Sequence, residues 1–121
     1  MKEYLCLSLP LRREMMTTVR LATGGVCAVA GLSYDGGEDC KVCVTESLLL
    51  LKHAGFLSAH LIFTREEGIR VFAEGEEGGG EALSSMEEEI SIALLQALVE
   101  DLKMERSESG VTSVSFGFGQ K

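Results

Sequence analysis

The run Tyr34-Asp35-Gly36-Gly37-Glu38-Asp39-Cys40-Lys41-Val42-Cys43-Val44-Thr45-Glu46 decides how the rest of the chain is read. Asp35 and Glu38 have the spacing of a capping box, in which two side chains satisfy backbone N–H groups at a helix start. The spacing predicts a helix that opens here and runs through His53. Gly55 follows as its stop, because glycine adopts the left-handed conformation that ends helices at little cost. Leu48 to Leu51 forms the apolar centre of this helix, far short of the roughly 20 residues that a membrane span needs.

Upstream, Tyr4 to Leu9 alternates and reads as a first strand. Pro10 follows where a first-turn helix proline is tolerated, with Ser8 or Leu9 near the cap. Leu11, Met15, Val19, Ala22, Val26 and Val29 then repeat at helical spacing, the buried face of a helix that ends at Gly31. Gly24-Gly25 inside it costs up to about 1 kcal/mol each relative to alanine. That cost predicts close packing against a neighbour, or a bend.

Downstream, Leu57 to Thr64 and Ile69 to Ala73 alternate as strands joined by a turn at Gly68. Gly75 to Gly80 reads as a Gly/Glu loop. Ser84 or Ser85, with Glu87 or Glu88 three residues on, is expected to cap a third helix reaching about Val99. Leu102 to Arg106 and Val111 to Phe118 form a closing hairpin around Ser109-Gly110. The order β-α-α-β-β-α-β-β predicts an α+β protein, a two-layer α/β sandwich with helices on one face of a mostly antiparallel sheet. One domain is expected over residues 1–121.

Composition narrows the function. Hydrophobic residues are 45% and charged residues 25%, the mix of a chain that folds unaided. The net charge is −8 and the eleven basic residues are scattered, which argues against a nucleic-acid partner. With no long apolar run and no leader-like start, the expectation is a cytoplasmic chain that does not enter a membrane. Cys6, Cys27, Cys40 and Cys43 are then expected as reduced thiols in the core, behaving as small hydrophobes. Cys40-x-x-Cys43 lies inside a helix with no second Cys or His pair at zinc-finger spacing.

Several strings, taken in this order, resemble the anti-sigma-factor serine kinases (RsbW type) of the GHKL, or Bergerat, histidine-kinase-like ATPase superfamily. Ser8-Leu9-Pro10 ahead of a long helix is similar to that family's first strand and helix. Ser33 to Glu46 resembles the start of its second helix, Lys52-His53-Ala54 the end of that helix, and Glu108 to Thr112 its closing hairpin. The resemblance spans nearly the whole chain and is densest from Tyr34 to Glu46. It implies a Bergerat fold that holds ATP and Mg²⁺ between sheet and helices under a lid. It also implies a sigma factor as partner, an antagonist protein as phosphorylation substrate, and a homodimer.

The family's site residues carry over unevenly. Glu46 matches the glutamate that serves as general base, although an ordinary charged residue at a helix margin would look the same. One turn later Leu50 stands where the family has a Mg²⁺-ligating asparagine, and re-registering on His53 gives Leu49 instead. Leucine offers no oxygen to a hard cation. His53 itself reads as a helix-end residue meeting the dipole. Gly75 matches the glycine of the family's Asp-x-Gly, which puts Ala73 where the adenine-binding aspartate belongs. Glu74 is one step away and so on the opposite face of the strand.

Glu89-Ile90-Ser91-Ile92 replaces the phosphate-binding Gly-x-Gly-Leu segment, with Glu87 and Glu88 just before it. Like charges about 4 Å apart repel by on the order of 4 kcal/mol at an effective dielectric of 20, so carboxylates here oppose a polyanion. The Gly75–Gly80 run lacks a phosphate-loop pattern and reads as a shortened remnant of the lid. The expectation is an anti-sigma-factor-like regulatory protein with an altered nucleotide site. It would bind a sigma factor or an anti-sigma antagonist and use neither ATP nor magnesium. Two alternatives stay open: an active ATP-dependent serine kinase resting on Glu46, and a homo-oligomeric module packed through Met15, Met16 and the Gly24-Gly25 helix.

Overall fold

The computed structural model describes residues 2–65, 67–80, 86–99 and 101–119. Residues of alternating polarity place β1 (Lys2–Pro10), β2 (Ser58–Arg65), β3 (Gly68–Glu77), β4 (Lys103–Ser107) and β5 (Gly110–Gly119) in one antiparallel sheet. Its spatial order is β1-β2-β3-β5-β4, and every neighbouring pair runs antiparallel. Three helices complete the described elements: α1 (Met15–Val29), α2 (Tyr34–His53) and α3 (Met86–Leu98). The chain order is β1-α1-α2-β2-β3-α3-β4-β5.

Strand alternation sorts the sheet into two faces. Leu61, Phe63, Val71, Ala73, Val114 and Phe116 are fully buried on the face that meets the helices. Cys6, Glu74 and Lys103 lie exposed on the other face, with Ile62 and Phe72 half-buried between them. α2 is the central helix, touching α1, α3 and strands β2, β3 and β5. Cys43, Val44, Leu48, Leu50 and Leu51 are buried along it. A helix contacted on so many sides is apolar around much of its girth. Its buried hydroxyls turn to their own backbone: Thr45 Oγ1 donates to the Lys41 carbonyl at 2.9 Å and Ser47 Oγ to that of Cys43 at 2.7 Å. No described helix is long and apolar enough to cross a membrane.

Both helix stops fall where glycine predicts them. Gly31 and Gly55 lie just beyond α1 and α2 with φ of 80° and 99°, the left-handed region. The starts differ from expectation. Pro10 is the last residue of β1, opposite Ser58, and not the first turn of a helix. β1 is an edge strand, where a missing N–H is tolerated. Leu11 is buried and its N–H donates to the Leu57 carbonyl, which holds the chain extended and delays α1 to Met15. The buried face of α1 is therefore Val19, Thr23 and Cys27, and Val29 is 75% exposed. α2 is capped by Ser33, whose Oγ accepts the Gly36 N–H at 3.0 Å, and Asp35 sits inside the first turn. The tight packing expected at Gly24-Gly25 holds for Gly24 alone, which the Lys41 side chain crosses, while Gly25 faces open space. Cys27, Cys40 and Cys43 are buried, and Cys6 is exposed, contrary to its expected place in the core. Cys6 lies on the helix-free face, opposite Ile62.

Candidate functional site

The C-terminal half of α2 presents Glu46 to α3. A buried stripe of Ser91, Leu95 and Val99 faces inward at the four-residue spacing of one helix face. A hydroxyl in that stripe must find an acceptor. Ser91 is only 3% exposed, and its Oγ donates to Glu46 Oε1 at 2.6 Å. Bonds from a hydroxyl to a carboxylate are short and among the stronger hydrogen bonds in proteins. One oxygen of Glu46 is thus engaged by the protein itself.

One turn further along α2, Leu50 is 1% exposed and belongs to the core. Leu49 beside it is half-buried. His53 ends the helix, with Nε2 3.3 Å from Glu87 Oε2, and its Nδ1 is buried without a hydrogen-bond partner among the described residues. Glu87, Glu88 and Glu89 occupy the first turn of α3, where acidic side chains complement the helix dipole. Glu88 lies 4.0 Å from Arg106, and Glu89 is exposed. Two of these three acids thus face basic side chains of the same protein. The expected capping serines, Ser84 and Ser85, lie outside the described residues.

Ala73 and Gly75 point to the helix side of β3. Ala73 is fully buried, and the ring of Phe56, from the turn between α2 and β2, lies on Gly75 so closely that a Cβ there would clash with it. Glu74 points the other way and is exposed on the helix-free face. Its cross-strand neighbours are His60, whose Nδ1 is 3.0 Å from Ser8 Oγ, and Ser113. The first half of the loop expected over Gly75–Gly80 is strand. β3 continues to Glu77, pairing Gly75 with Ala59 and Glu77 with Ser58. The Gly80 N–H then donates to the Gly55 carbonyl at 2.8 Å. Three residues of the expected loop, Gly75 to Glu77, join the strand because β2 is long enough to pair with them.

Two clefts flank this region without including its centre. One of about 500 Å³ is walled by Arg12, Lys52, Phe56, Leu57 and Glu77. The other, of about 700 Å³, lies among Ser33, Asp35, Asp39, Asp101 and Phe118. Neither is lined by Glu46, Leu50 or Ser91. Asp101 of the second cleft accepts from Arg70 at 2.6 Å and from the Gly117 N–H at 3.2 Å. The Arg70 hydrogen bond, foremost, holds the Asp101 carboxyl below its ordinary range.

Sequence reading singled out Glu46, Leu50, Ala73, Gly75, Glu89 and Ser91. The structure brings Glu46 and Ser91 into contact and puts Leu50, Ala73 and Gly75 on buried or half-buried inner surfaces. Glu89 stays apart, at the surface. Phe56 was missed. Its signal is local: an aromatic residue placed directly after a helix-stopping glycine must find a surface to cover.

No protein-family model matches the chain. The chain is similar to serine-protein kinase RsbW of Staphylococcus epidermidis, with 39% identity over 54 residues. The match covers 44% of this chain and 34% of that relative, and RsbW from two strains of the same species matches to the same extent. The similarity is thus to one segment, about a third of the relatives' length.

Proposed function

We propose that the chain is an anti-sigma-factor-like regulatory protein with a Bergerat-type scaffold and a degenerate nucleotide site. It acts in the cytoplasm, as a homodimer, by holding a sigma factor or an anti-sigma antagonist. The observation that carries this reading is the 2.6 Å hydrogen bond from Ser91 to Glu46. The carboxylate that would accept a substrate proton is instead a partner for a hydroxyl of the neighbouring helix.

Mg-ATP does not fit the surrounding residues. Leu50 presents hydrocarbon where an oxygen ligand is needed. Ala73 has no acceptor for an adenine amino group, and the Phe56 ring covers Gly75. Glu87, Glu88 and Glu89 bring negative charge to the first turn of α3, where phosphates would need positive charge. Phosphoryl transfer rests on positioning and charge neutralisation, and those parts are the altered ones. Partial similarity to RsbW supports the scaffold and the kind of partner, and the side chains argue against the chemistry.

Isothermal calorimetry with Mg-ATP is the test. No saturable heat is expected up to high micromolar nucleotide, and clear binding in that range overturns the reading. Phosphate incorporation into a co-purified antagonist, abolished by Glu46→Gln, would establish the kinase alternative in its place.

A further inference from the structure

The turn from β1 into α1 brings Arg12 to the same cleft as Lys52, which lies in the last turn of α2. Backbone pairing fixes the floor of that cleft. Leu11 is buried and its N–H donates to the Leu57 carbonyl at 2.8 Å. The Leu57 N–H in turn donates to the Glu77 carbonyl, and the Gly80 N–H to that of Gly55. Three chain segments are thus tied together before any ligand arrives. The cleft holds about 500 Å³, within the roughly 300–1,000 Å³ of small-molecule sites.

Its charges are unusual for this protein. The chain has 19 Asp and Glu against 11 Lys and Arg, so a cation finds a carboxylate easily, as Lys41, Arg70 and Arg106 do. Neither Arg12 nor Lys52 has an ion pair or hydrogen bond with a described residue. Glu77 stands on the same wall and pairs with neither. The helix dipole favours a basic residue at Lys52 but gives no reason for Arg12. Two cations and one carboxylate leave the wall with one net positive charge. Beside them lie the half-buried Phe56 ring and Leu57, which is 49% exposed.

We propose that this cleft binds a small organic monocarboxylate with a flat apolar body. The Arg12 fork, whose geometry matches a carboxylate, and the Lys52 ammonium hold the charged end. The body lies against Phe56 and Leu57, removing their apolar surface from water. One negative charge balances the wall, whereas a phosphate dianion would leave excess negative charge beside Glu77. The assignment stands independently of the nucleotide reading, because neither Glu46 nor Ser91 lines the cleft.

Titration of the ¹⁵N-labelled chain with phenylacetate, followed by backbone amide shifts, tests it. Saturable millimolar binding is expected at the amides of Arg12, Phe56 and Leu57, with Ser91 and Leu95 unmoved. Phenylacetamide, which lacks the charge, and acetate, which lacks the ring, should each bind at least about tenfold more weakly, and phenyl phosphate should also be weaker than phenylacetate. Arg12→Gln and Lys52→Gln should each raise the Kd about three- to tenfold, the range of a charge-assisted bond at an open site. Glu77→Gln should lower it about twofold by removing a like charge. The proposal is overturned if phenylacetate gives no saturable shifts at these amides, or if phenylacetamide or phenyl phosphate binds as tightly. It is equally overturned if the Kd is unchanged in both Arg12→Gln and Lys52→Gln.

Discussion

The two halves of α2 make different use of one helix. Its first half, Tyr34 to Glu46, packs its Cys40–Cys43–Val44 face against α1 and the sheet. Its second half carries Leu50 and His53 beyond Glu46, and meets α3. In the first half, side chains sit where packing requires them. In the second, Leu50 has joined the core, Ser91 holds Glu46, and Glu87 reaches His53. This face of α2 is thus helix–helix contact throughout.

The sharpest way to break this comparison is to place at position 50 the asparagine that the family resemblance implies. Leu50→Asn exchanges a fully buried leucine for an amide with no evident partner. The expected loss is about 3–5 kcal/mol, combining a large-to-small core change with an unsatisfied polar group, read from urea denaturation midpoints. A variant as stable as the wild type would mean that the position is still built for a polar side chain. Next comes Gly75→Ala, whose Cβ clashes with Phe56. Overpacking of this kind costs about 1–3 kcal/mol, and most of that loss should vanish in a Phe56→Leu background. An equal cost in both backgrounds would show that the ring is not what fills the space.

A smaller effect tests the helix–helix lock. Ser91→Ala and Glu46→Gln, alone and combined, form a double-mutant cycle whose expected coupling is about 1 kcal/mol, as for a hydrogen bond to a partly exposed charge. Additive losses would remove the lock from the account. The smallest effect lies at the far cleft. Arg70 and Asp101 form an exposed pair worth less than about 1 kcal/mol. Because the folded carboxyl is depressed, its contribution is complete above the ordinary value of 3.8 and is lost as pH falls through the lower folded value. Wild type should therefore exceed Asp101→Asn slightly at neutral pH, with the gap closing in acid and in molar salt. A gap that persists in acid would assign the effect to packing.

Much of the fold could be read from the chain because buried periodicity and glycine stops are local signals. Gly31 and Gly55 end their helices as expected, and Leu61, Phe63, Val71 and Ala73 face inward by simple alternation. Helix starts were harder. Pro10 is equally suited to a first helical turn and to an edge strand, and only the pairing with Ser58 decides between them. Likewise Asp35 and Ser33 are both good caps, and the structure selects Ser33.

The site was legible only as substitutions. Leu50 and Ala73 could be named as departures because each lacks a functional group, and that follows from residue type. The Ser91–Glu46 contact could not, since the two are 45 residues apart and their meeting depends on how α3 lies against α2. Phe56 covers Gly75 for the same reason, a long-range contact between a turn and a strand. Glu87 and Glu88 read as a repulsive cluster in sequence, yet one reaches His53 and the other approaches Arg106.

The central claim is tested most directly by titrating ¹⁵N-labelled protein with Mg-ATP while following the backbone amides of Glu46, Leu50, Gly75 and Ser91. The account predicts that these signals stay in place up to high micromolar nucleotide. Concerted, saturable shifts of all four would contradict it.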